Sequence, residues 1–364
     1  MQMNSPAEVI RSEILEQGGI IPFVRFMELA LYCPNLGYYE TKADSVGRRG
    51  DFFTSVSVGE IFGQLLAFQF SAWLEDLNSQ NSTPKILEAG AHDGRLAKDI
   101  LTWLQSHRPT LFEQLEYLIV EPSTRRQQWQ RQTLNAFNVS WLSDVNASTL
   151  QPFSGIIFSN ELLDAFPVHR FGWDARQKKW FEWGVAADGD RFVWAKIDAT
   201  LSALPPGIRT LPAPLLDILP DNYTMEASPS AENWWHAAAK NLRSGKLLTF
   251  DYGLTEDEWL SPSRKNGTLR AFCQHRFADD VLANPGEQDL TAHVNFPAVQ
   301  RAGEEAGLRT DFFSTQSKFL TQILEKTLKD KSFGDWTSAR TRQFQTLTHP
   351  EHLGRAFRIL VQSR

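Results

Sequence analysis

Cysteine is almost missing from this chain: among 364 residues only Cys33 and Cys273 occur. They are far apart and lack metal-ligand spacing, which argues against a disulfide scaffold and a zinc site and favours a reducing compartment. Basic runs are just as scarce. No stretch holds more than two consecutive Lys or Arg and the net charge is −6, so a surface for tracking nucleic-acid phosphates is not expected. Long apolar runs are lacking too. The most hydrophobic stretch, IFGQLLAFQFSAWL at 61–74, is interrupted by Gln64 and Gln69 and is shorter than the roughly 20 residues that span a bilayer, so it is expected as a core helix. Internal repeats and low-complexity tracts are absent.

What the chain does have is apolar bulk. Hydrophobic residues make up 42% and aromatics 12%, with 25 Phe and 12 Trp, enough for a globular core in one enlarged α/β domain or two domains. The beginning, Ser5-Pro6-Ala7-Glu8, carries a helix start in which Ser caps and Pro occupies the first turn, a folded start and not a signal peptide.

Residues 1–82 are expected to be mostly helical, broken by the loop CPNLGYYETKADSVGRRGDFFTS, and the polar NSQNSTP at 78–84 has the composition of a linker. From Lys85 strands and helices alternate: KILEAG, a helix over 94–106, YLIVEP at 117–122, a Gln/Arg-rich helix to about 136, NVSWL, and GIIFSN at 155–160. Short, continuously apolar strands with helices between them predict a doubly wound α/β fold around a parallel sheet. Aromatic-rich runs flanking Asp188-Gly189 predict an inserted hairpin. A helix is expected from about Ser228-Pro229, a buried strand at KLLTFDYG (246–253) and a last strand at RAFRILVQSR. The division expected is 1–82, then 83–364 with an insertion at about 173–243.

The chemistry concentrates where strands end. A strand closing at Glu88-Ala89-Gly90 and becoming a helix near Gly94 turns amide hydrogens and a positive helix end toward the sheet's carboxyl edge, where ligands of parallel sheets gather. Gly90 and Gly94 let a nucleotide-like ligand approach the main chain. Glu121, at the end of the next strand, is the acid expected to accept both ribose hydroxyls, and Asp144, past NVSWL, is placed to reach an adenine amino group. The turn is not the G-x-G-x-x-G of dinucleotide enzymes, which makes a nicotinamide dehydrogenase the third reading. Glu88 and Asp93 place negative charge beside the turn, unfavourable to pyrophosphate and favourable to the sulfonium and ammonium of S-adenosylmethionine. Beyond the fourth strand, Asn160, Glu161 and Asp164 form a second acidic group, its two carboxylates three residues apart on one side of a helical turn. Paired carboxylates suit a planar guanidinium.

Together GDFFTS with FGQLLA, ILEAGAHDGRL, IVEPSTRRQQWQ, SNELLDAFPVHRF, FDYG, GTLRAF, DLTAHVNF and TQSKFL resemble the MidA-type methyltransferases, whose mitochondrial members are complex I assembly arginine methyltransferases. The resemblance covers about residues 17–325. It implies a class I (Rossmann-like) methyltransferase sheet with an N-terminal helical region and an inserted hairpin and helical subdomain, S-adenosylmethionine as donor, and protein arginine as the acceptor of the mitochondrial relatives. By position it implies that Gly90 and Gly94 form the cofactor turn, that Glu121 holds the ribose, and that Asn160, Glu161 and Asp164 form the site edge, with Glu161 and Asp164 orienting the guanidinium. Gly50, Asp51 and Thr54 fall in the N-terminal motif expected to close over the methionine end of the cofactor. His293, in DLTAHVNF, is the candidate proton relay. One departure stands out: where the family has Gly-Pro-Gly-Arg-Gly-Thr, this chain has Gly90-Ala91-His92-Asp93-Gly94-Arg95, so His92 replaces the middle glycine. The expected partner is an acceptor protein, the expected location cytoplasmic. A non-catalytic assembly factor that keeps the fold is the second reading, motivated by His92 and by Trp180, Trp183, Phe192 and Trp194 of the hairpin.

Overall fold

The computed structural model describes residues 5–41, 54–78, 83–273, 276–351 and 353–364; Gly50 and Asp51 lie outside them. The chain forms two compact units, one of Ala43–Leu162, Asn233–Gly253 and Val299–Arg364, the other of Met1–Lys42, Leu163–Glu232 and Leu254–Ala298. The 82/83 boundary expected from sequence falls inside one of these units. The reason is packing. The helix Ile61–Asn78 (α1) puts Phe62 and Phe70 against Phe250 and Phe158 of the sheet, with ring centroids 5.4 and 5.1 Å apart, whereas Ile10, Ile14, Phe23 and Phe26 share a core with Val168, Val185 and Leu290.

The first unit is built on seven strands, β1 (Lys85–Ala89), β2 (Glu116–Val120), β3 (Val139–Leu142), β4 (Phe153–Asn160), β5 (Leu242–Leu254), β6 (Arg309–Thr315) and β7 (Phe357–Ser363), in the order β3-β2-β1-β4-β5-β7-β6. The first five are parallel. The expected last strand is β7, which runs antiparallel between β5 and β6. β6 was not foreseen in RTDFFST, whose alternation is weak. Chain order reverses between β1 and β4, so the carboxyl ends of β1, β2 and β4 border the switch point where such sheets bind ligands. β1 is buried along four of its five residues, as a strand covered on both faces must be. Helix α2 (Arg95–His107) buries Leu96, Ala97, Ile100, Leu101, Trp103 and Leu104, the i, i+3, i+4 stripe of a helix lying on a sheet; each large apolar side chain so covered contributes roughly 1.5–3 kcal/mol.

The second unit is antiparallel. Lys179–Asp188 pairs on one edge with Arg191–Asp198 and on the other with Ile20–Pro22 and His169–Asp174, and the last pairs with Tyr223–Ala227. The expected hairpin is there, but its turn is Gly189-Asp190, since Asp188 pairs with Arg191. Gly189 alone takes positive φ (56°) at the first central position, the place where a II′-type turn needs glycine. The hairpin aromatics pack within this unit: Trp180 is 6% and Phe192 9% exposed, on opposite sides of the sheet. Trp183 donates through Nε1 to Thr224 Oγ1 at 3.0 Å, and Trp194 lies under the Arg170 guanidinium, 4.8 Å from its ring centroid. Among the described residues no helix is long and apolar enough to cross a membrane and no group of His, Cys, Asp and Glu is arranged to hold a metal. Both cysteines are free thiols.

Candidate functional site

The turn after β1 needs its glycines for two separate reasons. Gly90 (φ 73°) and Gly94 (φ 84°) sit in the left-handed region, and a Cβ on Gly90 would stand 2.9 Å from Leu162 Cδ1. The space that glycine leaves at position 90 is therefore taken by the chain itself. His92 adopts the same left-handed conformation (φ 47°), one that glycine takes freely and that costs a histidine about 1 kcal/mol. The Asp93 carboxylate accepts from Arg95 N at 3.1 Å and Arg95 Nε at 2.5 Å. Burial raises its pKa, but His92 and Arg95 outweigh burial and hold it at about 2.

Glu88 is 2% exposed and accepts from the Tyr117 hydroxyl at 2.7 Å. Burial pushes its carboxyl up to about 7, opposed by that hydrogen bond and aided by Asp93. Of the two charges expected to attract a sulfonium, one is matched by Arg95 and the other is partly protonated near neutral pH. The electrostatic preference for a cationic cofactor is thus smaller than the bare sequence implies, and recognition falls to hydrogen bonding.

The hydrogen-bonding groups are in place. Glu121, which follows β2, is 2% exposed, not solvated. Its Oε1 accepts from Ser123 N at 3.0 Å and its Oε2 from Gln130 Nε2 at 3.1 Å, with Arg126 Nε 3.6 Å away. A carboxylate has about four acceptor positions, so two remain for a pair of ribose hydroxyls. At the end of β4, Asn160 Nδ2 donates to Glu161 Oε1 at 3.0 Å, while Asn160 Oδ1 is buried without a hydrogen-bond partner among the described residues. An acceptor left unpaired in this way costs about 1–3 kcal/mol until a ligand N–H reaches it. The site therefore fits an adenosyl amino acid: Glu121 has acceptor positions free for hydroxyls, and Asn160 Oδ1 has one for an ammonium or other N–H donor.

Glu161 lies outside any helix. Its φ is 51°, its amide donates to Phe250 O at 2.9 Å, and the 3-10 turn begins only at Leu163. The expectation that Glu161 and Asp164 share a helical turn is corrected: the strand ends with a left-handed residue, and Asp164 belongs to the second unit. There Asp164 is 8% exposed and its carbonyl accepts from Ala292 N at 3.0 Å, joining SNELLDAFP to DLTAHVNF. His293 beside it donates its amide to Thr268 Oγ1 at 3.0 Å. Burial first, then Arg270 and Arg264, lower its ring pKa to about 4. A ring held neutral that firmly is a weak base, which speaks against His293 as the proton relay, and its Nδ1 is buried without a hydrogen-bond partner among the described residues.

Thr54 caps the helix Ser55–Val58, accepting from Ser57 N at 3.2 Å, so its hydroxyl oxygen serves the backbone. Asp144 Oδ1 accepts from Asn146 N at 2.5 Å in an exposed turn, a local role beside the adenine contact expected of it. Three residues of the first unit escaped the sequence reading. Asp251, fully buried in FDYG, accepts from Leu162 N at 3.2 Å and Tyr252 N at 2.8 Å, fixing the segment that closes on Gly90. Gln316 of TQSKFL accepts from Ser55 Oγ at 3.0 Å and donates to Leu347 O at 3.0 Å. Gln130 joins Glu121 to the glycine turn.

A parallel sheet reversed between β1 and β4, with a glycine turn after β1 and a buried acid after β2, is an arrangement that binds nucleotide-like ligands at its carboxyl edge, and comparison with known proteins assigns the chain to the class of S-adenosylmethionine-dependent methyltransferases. The chain belongs to the MidA-type family within it: the family model described as S-adenosyl-L-methionine-dependent methyltransferase matches residues 65–314. The mitochondrial protein arginine methyltransferase NDUFAF7 homolog of Drosophila melanogaster is 27% identical over 98% of this chain and 84% of its own length. The Homo sapiens protein arginine methyltransferase NDUFAF7 is 28% identical over 95% and 81%. A Burkholderia thailandensis protein crystallised bound to S-adenosyl-homocysteine superposes with a TM-score of 0.83 at 32% identity, over 99% of this chain and 92% of that one. A native crystal structure from the same organism and superfamily gives 0.80 at 31%. The protein is a methyltransferase that uses S-adenosylmethionine.

Proposed function

We propose that this methyltransferase acts on an arginine side chain of a partner protein. The observation that carries the reading is the pair at the end of β4: Asn160 with an unmatched buried acceptor oxygen, and Glu161 held in a left-handed backbone conformation that costs about 1 kcal/mol and is kept where the surroundings enforce it, as at functional sites. The names of the relatives support arginine as the acceptor.

S-adenosylmethionine supplies an electrophilic methyl group on a sulfonium, and transfer is an in-line displacement. In this reading the main chain of Gly90–Gly94 and the Glu121 carboxylate hold the adenosyl part, and Asn160 Oδ1 accepts from an N–H beside the reacting centre. The Glu161 carboxylate holds the guanidinium by charge-assisted hydrogen bonds. An arginine side chain loses its proton only above about pH 12, so the proton must leave as the nitrogen acquires its methyl, and Glu161 Oε receives it. Orientation provides most of the acceleration, since fixing the nucleophile is worth several kcal/mol.

Incubation with methyl-labelled cofactor and bacterial lysate, followed by hydrolysis of labelled protein, should return methylarginine. The Glu161→Gln variant should transfer label about 100-fold more slowly while binding S-adenosylhomocysteine as the wild type does. Label on another amino acid, or an undiminished rate in the variant, would refute the arginine assignment.

A further inference from the structure

The helix Thr124–Thr133 (α3) is polar on nearly every face, and the residue it buries is Gln130, which is fully inaccessible. Glutamine is rarely chosen for such a position, because every polar atom of its amide then needs a partner. Here each atom has one. Nε2 donates to Glu121 Oε2 at 3.1 Å and to His92 O at 3.1 Å, and Oε1 accepts from Trp141 Nε1 at 2.8 Å. The indole can only donate, so the Gln130 oxygen must face Trp141 and its NH2 must face the two acceptors. One side chain thereby ties the buried acid after β2 to the carbonyl of the left-handed residue in the glycine turn, and β3 locks that side chain in one orientation.

We infer that Gln130 is a positioning residue for cofactor binding: it fixes the plane of the Glu121 carboxylate and the height of the turn together, so that ribose and main-chain contacts form at once. Gln130 does not touch the reacting atoms, and its contribution lies in recognition of the ribose hydroxyls. The inference rests on the assignment of Glu121 to the ribose.

Calorimetric titration of S-adenosylhomocysteine and of its 2′-deoxyribose analogue into wild type, Gln130→Met and Trp141→Phe separates the possibilities. Wild type should prefer the hydroxylated ligand by about tenfold or more, the worth of a hydrogen bond to a charged group. Gln130→Met should bind S-adenosylhomocysteine about tenfold more weakly and prefer it over the analogue by less than about threefold. Trp141→Phe, at a partly exposed position, releases the amide orientation and should shift the preference in the same direction by a smaller factor, which keeps the test open if Gln130→Met folds poorly. A purely structural glutamine would weaken both ligands equally and leave the preference intact; an unchanged preference in the folded variants overturns the inference. Absence of any preference in the wild type would instead overturn the Glu121 assignment on which it stands.

Discussion

The hydroxyl of Tyr117 donates to Glu88 across 2.7 Å, with both side chains 2% exposed. Burial, eased by that bond and reinforced by Asp93, raises the Glu88 carboxyl from 4.5 to about 7. The folded protein thus keeps a proton between about pH 4.5 and 7 that the unfolded chain has released, so stability falls as pH rises through that window. Glu88→Gln removes the cost of ionisation and still accepts from Tyr117. It should be more stable than wild type by roughly 1–3 kcal/mol at pH 8 and close to it at pH 5, as read from urea unfolding. An equal difference at both pH values would contradict the assignment.

His293 acts with the opposite sign. Its ring pKa falls from 6.5 to about 4, by burial and then by Arg270 and Arg264. The unfolded chain takes up a proton in that interval and the folded one does not, so the stability it confers is complete above about pH 6.5 and is lost as pH falls toward 4. Replacement by Gln should flatten the acid side of the stability profile, while methyl transfer at pH 8 changes by less than about threefold, the behaviour of a residue that is not the base. A loss of about 100-fold with unaltered stability would restore it to the relay.

Gly90 combines φ 73° with a Cβ position 2.9 Å from Leu162 Cδ1. Gly90→Ala should therefore destabilise by about 1–3 kcal/mol and weaken S-adenosylhomocysteine binding. Adding Leu162→Ala should relieve the contact and not the backbone strain, recovering only part of the stability. Full recovery would mean that φ is unimportant there.

Glu121→Ala removes two ribose acceptors and leaves Ser123 N and Gln130 Nε2 facing a gap. Affinity for S-adenosylhomocysteine should drop by about 10- to 100-fold and unfolding should occur at lower urea. Calorimetry showing undiminished affinity would place the ribose elsewhere.

The α/β alternation from Lys85 was legible because strands buried on both faces are continuously apolar and end at glycine or acid. KILEAG, YLIVEP and GIIFSN are β1, β2 and β4 within a residue or two. The two-unit division was not legible, since segments far apart in sequence share cores, as Phe23 and Phe192 do, and no local composition marks that. Within the site, Gly90, Gly94 and Glu121 carry motifs that periodicity brings out. Asp251 and Gln130 do not: one is an acid inside a long apolar strand, the other one of four glutamines in TRRQQWQRQT, and only the fold shows which glutamine is inside. The helical reading of Glu161 and Asp164 failed because a three-residue spacing fits a turn as well as a strand end followed by a left-handed residue.

The central assignment is that the adenosyl cofactor lies along the carboxyl edge of β1, β2 and β4. A crystal structure of the complex with S-adenosylhomocysteine tests it directly. The ribose hydroxyls should lie about 2.6–3.0 Å from Glu121 oxygens, with a ligand nitrogen about 2.8–3.2 Å from Asn160 Oδ1. Clear density for the ligand with its ribose away from Glu121 would contradict it.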